Sequence, residues 1–416
     1  MGELEQQSEP TDCPVVMSDG RPCGRPIHPA PSDVDERPVC LMHSREQRKD
    51  AEAFRAEIDA ILLRTSVFHR PKDHFDFRYF VFHEANFGAE LFTEKAFFGD
   101  ARFIGEAIFQ GAIFTKGADF GEATFAQAAN FWAATFTQRA NFRQATFTEE
   151  VDFGLATFTE GADFWGAMFT EGADFTLTLW GYGKDDLARE AGGEPAIASF
   201  HSVRLMKPEK VCFLRVNEKS RQGFRGRFVG CPIKGVLFED VDWHREKGRM
   251  VLQDELDRLA NDEEAASYEQ VAAAYRRFII NFDEAKQYDL SEDCVIGAME
   301  MKRLDPAQPA FVRLAVNLYR VASNYGSSYL RALLVLALLV VAFGLLYSFV
   351  GLTPRLGQTV LEPIGLIHAV EVATFKSETH AIAGSGAAWF LEIFERVLIP
   401  AQVALFLLAL RRRFRR

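Results

Sequence analysis

The chain is poor in several features that would place it in a common class. Cysteine occurs only 6 times in 416 residues, at scattered positions, which excludes a disulfide framework as the basis of the fold. The opening MGELEQQSEP is acidic and has no apolar run, so no cleavable signal peptide is expected there. Gln6 stands where a myristoylation motif needs Ser or Thr. A basic excess is missing as well: 47 Lys and Arg against 58 Asp and Glu give a net charge of −11, which argues against a nucleic-acid partner. The sequence has no P-loop, no Rossmann glycine pattern, no nucleophile elbow and no zinc-protease helix motif, so no enzyme is expected. Tyr and Trp number only 9 and 5 beside 39 Phe, and that imbalance points to a repeat.

The repeat runs from about residue 82 to 175. Phe recurs at 87, 92, 98, 103, 109, 114, 120, 125, 131, 136, 142, 147, 153, 158, 164, 169 and 175, alternating steps of five and six. Ala commonly stands two residues before Phe, as at Ala118, Ala123, Ala129, Ala134, Ala140 and Ala145. Asp or Asn often lies between them, as at Asp119, Asn130, Asn141, Asp163 and Asp174. On a helix, Phe residues five apart would diverge by about 140°, so no stripe forms and a helix is rejected. In an extended chain, residues two apart share a side. Ala and Phe then point inward, the polar residue points out, and the chain turns after each short segment. Stacked turns of this kind make a β-solenoid with Phe ladders inside.

These residues resemble the pentapeptide-repeat family, whose unit sets a small residue, then Asp or Asn, then a central Leu or Phe. The match lies in Ala-Asp-Phe at 118–120, 162–164 and 173–175 and in Ala-Asn-Phe at 85–87, 129–131 and 140–142. The resemblance implies a right-handed, four-sided β-helix. The chain departs from the family by one extra residue in every second unit, so four faces take 22 residues and uneven or bulged faces are expected. Acidic members of the family imitate DNA and bind topoisomerase. The repeat here carries 15 Asp and Glu against 6 Lys and Arg between residues 76 and 174. That charge fits the idea, but the membrane anchor described next sets it aside. Residues 181–197 read as a loop, after which Phe213, Phe224, Phe228, Ile233, Phe238 and Trp243 continue the spacing. The solenoid is thus assigned to 75–180, with terminal coils over 198–244.

Ala332 to Val350 is an uncharged apolar run of spanning length, assigned as a first transmembrane helix over 330–351. A second, over 387–410, carries Glu392, Glu395 and Arg396 in its first half and Pro400 as an expected kink. Glu392 and Arg396 can pair four apart on one face. Either the charged cluster sits at the interface of a tilted helix, or it is an intramembrane polar site. Arg303, Arg313, Arg320 and Arg331 precede the first span, and the tail over 411–416 is basic. The positive-inside rule then sets both termini in the cytoplasm and residues 352–386 outside, most simply in a bacterial inner membrane.

Between solenoid and membrane, residues 250–305 read as a helical hairpin. Tyr268, Val271, Tyr275, Phe278 and Phe282 form its core stripe, in the manner of a tetratricopeptide-like unit. An apolar-faced helix within 308–327 suits the membrane surface. The fold class is therefore mixed: a β-solenoid, a helical hairpin and two transmembrane α-helices.

A small module over residues 1–50 carries the candidate chemistry. Cys13, Cys23, Cys40 and His43 are expected to bind structural Zn²⁺, with His28 as the alternative ligand and Gly20 and Gly24 easing a tight turn. A segment this short and polar needs such a staple to fold. Cys212, Cys231 and Cys294 read as small buried hydrophobes.

Two functional readings follow. The first is a membrane-tethered scaffold whose solenoid docks a protein partner; a homo-oligomer is compatible with it. The second is a degenerate two-helix channel or a nonselective oligomeric pore. Some bacterial pentapeptide-repeat proteins resemble two-helix potassium channels at this end, and Ile364 to Phe375 stands where those place a pore helix. The following stretch, Ala373-Thr374-Phe375-Lys376-Ser377-Glu378, has a lysine and no filter glycines, which rejects a potassium-selective pore.

Overall fold

Within each eleven-residue period the chain makes two very short strands separated by corners. Ala118 and Phe120 are buried while Asp119 between them stays partly exposed, as side-chain alternation in a strand requires. Each strand pairs in parallel with the one a full coil later: Ala118 with Ala140 and then Ala162, Thr124 with Thr146, Ala129 with Val151, Thr135 with Thr157. Among the described residues this builds four parallel sheets of 7, 6, 7 and 5 strands, a solenoid of about 7 turns. The computed structural model describes residues 11–17, 20–28, 35, 37–46, 49–63, 74–182, 195–220, 222–262, 264–350, 352–354, 363–376, 379 and 381–414. Most of the expected 181–197 loop and the last two residues of the basic tail lie outside these. The chain forms two units, residues 1–285 and 286–416.

The extra residue in every second unit lies in the corner of the six-residue step, as at residues 126–128 between Phe125 and Ala129, while the five-residue step closes through a tighter turn. The Ala123 amide donates to the Phe120 carbonyl at 3.2 Å, closing a four-residue turn in which Glu122 takes φ 60°. The same left-handed conformation recurs every eleven residues, at Ala89, Asp100, Gly111, Glu122, Ala133, Gln144, Leu155, Gly166 and Leu177. A residue with positive φ at the third position lets a tight turn close, as in a type II turn. The Asp or Asn of each unit completes that corner. Asp119 Oδ1 accepts from the Gly121 amide at 3.0 Å, Asn130 from Trp132 at 2.9 Å, Asp152 from Gly154 at 2.7 Å and Asp174 from Thr176 at 2.7 Å. These outward-pointing Asp and Asn side chains are thus Asx-turn acceptors that hold the corners.

Inside, the phenylalanines stack coil upon coil. Rings of Phe92 and Phe114 lie 4.6 Å apart and those of Phe114 and Phe136 4.9 Å, nearly parallel in both cases. Rings from adjacent faces meet edge on, as Phe109 does Phe120 at 5.2 Å. Both arrangements suit the aromatic quadrupole, and each buried Phe contributes roughly 2–3 kcal/mol of transfer free energy. The ladders pass the insertion intact: Phe164 stacks on Phe200 at 5.1 Å and Phe175 on Phe213 at 4.7 Å.

Helices close the far end of this unit. Before them, α1 (Ala51–Leu62) precedes the first coil, with Asp50 as its N-cap. After the last coil come α2 (Gln253–Leu259) and α3 (Tyr268–Glu284), the latter opened by a Ser267–Gln270 capping box. The α3 stripe is core, but its partner is the last coil: Phe278 lies 5.1 Å from Phe228 and 5.7 Å from Trp243. Asn281 accepts from the Gly235 amide at 3.1 Å and donates to the Val236 carbonyl at 2.9 Å. From α2, buried Asp254 accepts from the Phe228 amide at 2.8 Å and pairs with His201 Nε2 at 2.6 Å. These side chains supply partners that a further coil would otherwise provide.

The second unit begins with α4 (Tyr288–Leu304), so the expected 250–305 hairpin divides between the two units. It continues with α5 (Ala310–Ser323), α6 (Tyr329–Val350), α7 (Ile364–Ala373) and α8 (Gly386–Phe414). Helices α6 and α8, of 22 and 29 residues, are long and apolar enough to cross a membrane, and α8 continues through Pro400. Leu352–Pro354 pairs antiparallel with Ala381–Ala383, bracketing α7. Helix α7 approaches α6 closely at two glycines. A Cβ on Gly344 would stand 2.9 Å from Leu366 Cα, and one on Gly365 would stand 3.1 Å from the Ser348 amide nitrogen. Side chains larger than hydrogen are therefore excluded at this crossing.

Candidate metal centre

Two short local structures carry the four expected ligands. Cys13 and Cys23 lie on the arms of a small antiparallel ladder with bridges Asp12–Pro26 and Val16–Pro22. The Cys13 amide donates to the Arg25 carbonyl at 2.8 Å and the Cys23 amide to Val15 at 2.7 Å. Gly20 and Gly24 take φ 78° and 71°, which turns the chain back beside Cys23. Cys40 and His43 stand at the two ends of one tight turn, where the His43 amide donates to the Cys40 carbonyl at 3.1 Å.

The turn brings both residues against the ladder. His43 Nδ1 lies 3.4 Å from Cys13 Sγ and 3.2 Å from Cys40 Sγ, and Cys23 Sγ is 3.9 Å from Cys40 Sγ. All four ligand atoms fall within 4.8 Å of one another. Tetrahedral zinc with its usual bond lengths sets ligand atoms roughly 3.5–3.8 Å apart, so the set fits that ion. The sulfur separation is far beyond a disulfide bond, and all three cysteines are free. His28 stays outside the set; its backbone amide binds the Val39 carbonyl at 3.0 Å.

The electrostatics also suit a cation. Hydrogen bonds from Cys13 and Cys40, helped by His43, hold the Cys23 thiol well below its ordinary range in spite of burial. Burial works against a charged His43, but Cys13 and Cys23 raise it above the usual imidazole value. Thiolate is the ligating form, and Cys23 tends toward it, while hydrogen bonds with Cys13 and Cys23 and burial push the Cys40 thiol up. Arg25 Nη1 reaches Cys23 Sγ at 3.4 Å while its Nη2 pairs with Glu57 of α1 at 2.8 Å. Sequence reasoning missed Arg25, Glu57 and Lys49. The only signal for the first was its place two residues after a candidate ligand.

The cluster sits against the first coil of the solenoid. His43 meets the Phe80 ring edge on at 5.5 Å, and the Arg25 guanidinium lies 5.2 Å from the same ring. The Val81 amide donates to the Met42 carbonyl at 2.8 Å. Lys49 Nζ bonds the Val81 carbonyl and, at 3.2 Å, that of Ser44. The small module therefore does at the near end what α2 and α3 do at the far end. Of the remaining cysteines, Cys231 and Cys294 are buried as expected. Cys212 is only partly buried, with its Sγ 3.2 Å from Asp174 Oδ1; burial and that carboxylate push its thiol up to about 11.

A family model described as pentapeptide repeats (9 copies) matches residues 82–135 and 131–178. No curated protein and no solved structure matches the chain. The matched residues are those whose Ala and Phe fill the four-sided interior and whose Asp and Asn hold its corners. Residues 82–178 are a run of pentapeptide repeats wound as a β-solenoid.

Proposed function

We propose that this chain is a membrane-anchored scaffold that acts by binding, with the outer surface of the solenoid as its docking face. One observation carries the reading. The solenoid interior is filled by phenylalanine, and a gap of about 10 Å³ near Phe175, Phe200 and Phe213 admits no substrate. What remains among the described residues is a rigid outer surface of repeated polar positions, with a cleft of about 720 Å³ beside α1 lined in part by Lys49, Phe54, His83 and Glu84. A partner there would be basic or itself membrane-associated, because the repeat is acidic.

Helices α6 and α8 supply the anchor. Leu334, Leu338, Leu345 and Phe349 of α6 and Phe390, Phe394 and Val397 of α8 are exposed, which suits lipid and not water. Phe311, Leu314, Leu318 and Val321 make a similar exposed stripe on α5, as an interfacial helix has. The flanking arginines favour cytoplasmic termini. The four-ligand cluster takes one structural Zn²⁺, since four protein ligands leave no open coordination position.

Photo-crosslinkers at exposed Glu122 and Glu160 test the docking face in cells. A small, reproducible set of trapped proteins is expected. If nothing is trapped while the purified chain conducts ions or turns over a substrate, the scaffold reading is wrong. A cysteine introduced at exposed Ser385 should react with an impermeant thiol reagent on intact cells, and one at Glu160 should not. The reverse pattern would overturn the orientation.

A further inference from the structure

A buried polar cluster lies inside the second unit, where α6, α7 and α8 pack together. Tyr347 of α6, His368 of α7 and Glu395 of α8 are each at most 1% exposed. The Tyr347 hydroxyl donates to Glu395 Oε2 at 2.9 Å, and its ring meets the His368 ring edge on at 4.7 Å. Tyr347 thus touches both other residues. Three atoms of the cluster have no hydrogen-bond partner among the described residues: Glu395 Oε1 and both ring nitrogens of His368.

The neighbouring charges are already matched. Glu371 of α7 pairs with Lys376 at 2.6 Å, and Glu392 of α8 pairs with Arg396 at 2.6 Å. The polar group that faces the bundle from the other end of α8, Gln402, spends its amide on the Ala322 and Ala332 carbonyls at 2.9 and 2.8 Å. Among the described residues no cation pairs with Glu395. An ionised carboxylate buried without a counter-charge costs several kcal/mol, and a buried acceptor or donor left alone costs about 1–3 kcal/mol. A proton on the carboxyl removes the first cost. A proton shared with the imidazole removes part of the second.

We propose that Glu395 and His368, steadied by Tyr347, form a proton-binding pair in the membrane unit. The inference rests on reading α6 and α8 as membrane-spanning, since ionisable groups at such a place commonly serve proton or ion movement. The step is a proton transfer alone, through one bridging water, since neither ring nitrogen of His368 makes a direct hydrogen bond to Glu395. The O–H bond of the carboxyl breaks and an N–H bond forms on the imidazole, so acid and imidazole become carboxylate and imidazolium. The pair carries no net charge on either side of the step, so no counter-ion must enter. The Tyr347 hydroxyl can donate to the carboxyl group in either form.

Infrared difference spectroscopy of the full chain in liposomes, in light and heavy water at fixed pH while temperature is varied, tests the pair. A protonated-carboxyl carbonyl band that shifts on deuteration and falls as an imidazolium band rises is expected. Glu395→Gln, which preserves the shape and the bond from Tyr347, should remove the carboxyl band. His368→Gln should remove the imidazolium band and the reciprocal change, Tyr347→Phe should shift the carboxyl band, and Glu392→Gln should leave it in place. Superimposable spectra for wild type and Glu395→Gln, or an unchanged temperature response of the carboxyl band in His368→Gln, would overturn the proposal. An alkaline wash of the same membranes separates it from the reading on which it rests. A chain that washes off yet shows the band keeps the pair and loses the anchor; a chain that stays but lacks the band loses the pair.

Discussion

At the scale of single residues, the solenoid owes its corners to a backbone conformation that few side chains favour. Glu122, Gln144 and Leu155 all sit at positive φ, which costs an L-residue roughly 1–2 kcal/mol. Glycine removes that strain and gives back part of the gain as unfolded-state entropy. Glu122→Gly should therefore stabilise the chain by about 0.5–1 kcal/mol in chemical denaturation, while the same change at Ala123, where φ is negative and the methyl is buried, should destabilise it. A second prediction concerns acid. Burial alone would raise Asp76, but the fork of hydrogen bonds from Arg78, at 2.8 and 2.6 Å, with His74 nearby, pulls it from 3.8 down to about 2. A depressed carboxylate stabilises the fold fully above its unfolded value and loses that contribution as pH falls through its folded value. Between pH 3.8 and about 2 the first coil should therefore lose about 2 kcal/mol. In Asp76→Asn that part of the pH dependence should be absent from acid-unfolding curves.

At the scale of elements, the caps and the α6–α7 crossing are the points most open to test. Asp254 of α2 is buried and holds the Phe228 amide and His201 at the open edge of the last coil. Removing it strands a buried amide and an imidazole, so Asp254→Ala should destabilise the first unit by about 3 kcal/mol, read by denaturant midpoint. Asn at the same site, which keeps an acceptor for the amide, should lose less. In the second unit a side chain at Gly365 has no space against α6. Gly365→Val should detach α7 and expose it to protease cleavage, while Gly386→Ala, where an added Cβ meets nothing within 4 Å, should not. Sequence periodicity located α3, α5, α6 and α8, because each carries a long apolar stripe or run. It misassigned the partner of α3, because a stripe of Tyr, Val and Phe records that it is buried but not against what.

At the scale of the whole molecule, the cluster of three cysteines and His43 is a cap on the solenoid as well as a candidate metal centre. If zinc fills it, a chelator with a thiol reagent should make residues 11–63 protease-sensitive and lower the thermal midpoint of the first unit. Cys13→Ser with Cys40→Ser should reproduce the effect without chelator, and zinc measured in the purified chain should fall from one per chain to none. The sequence by itself determined the solenoid, its Phe interior, the 22-residue coil and the two long apolar helices. These rest on local periodicity, which a chain states residue by residue. It also marked Cys13, Cys23, Cys40 and His43, by residue type and by the ligand-like step from Cys40 to His43, although the other gaps are irregular. Only the tertiary structure decided that the five-residue step turns through a left-handed residue and that the spare residue enters the other corner, because backbone dihedrals at a turn answer to the coil above and below. Only it set the four ligands against Phe80 and gathered Tyr347, His368 and Glu395 from three helices. Contacts between residues tens of positions apart leave no local pattern, for they arise only when separate apolar surfaces bury one another.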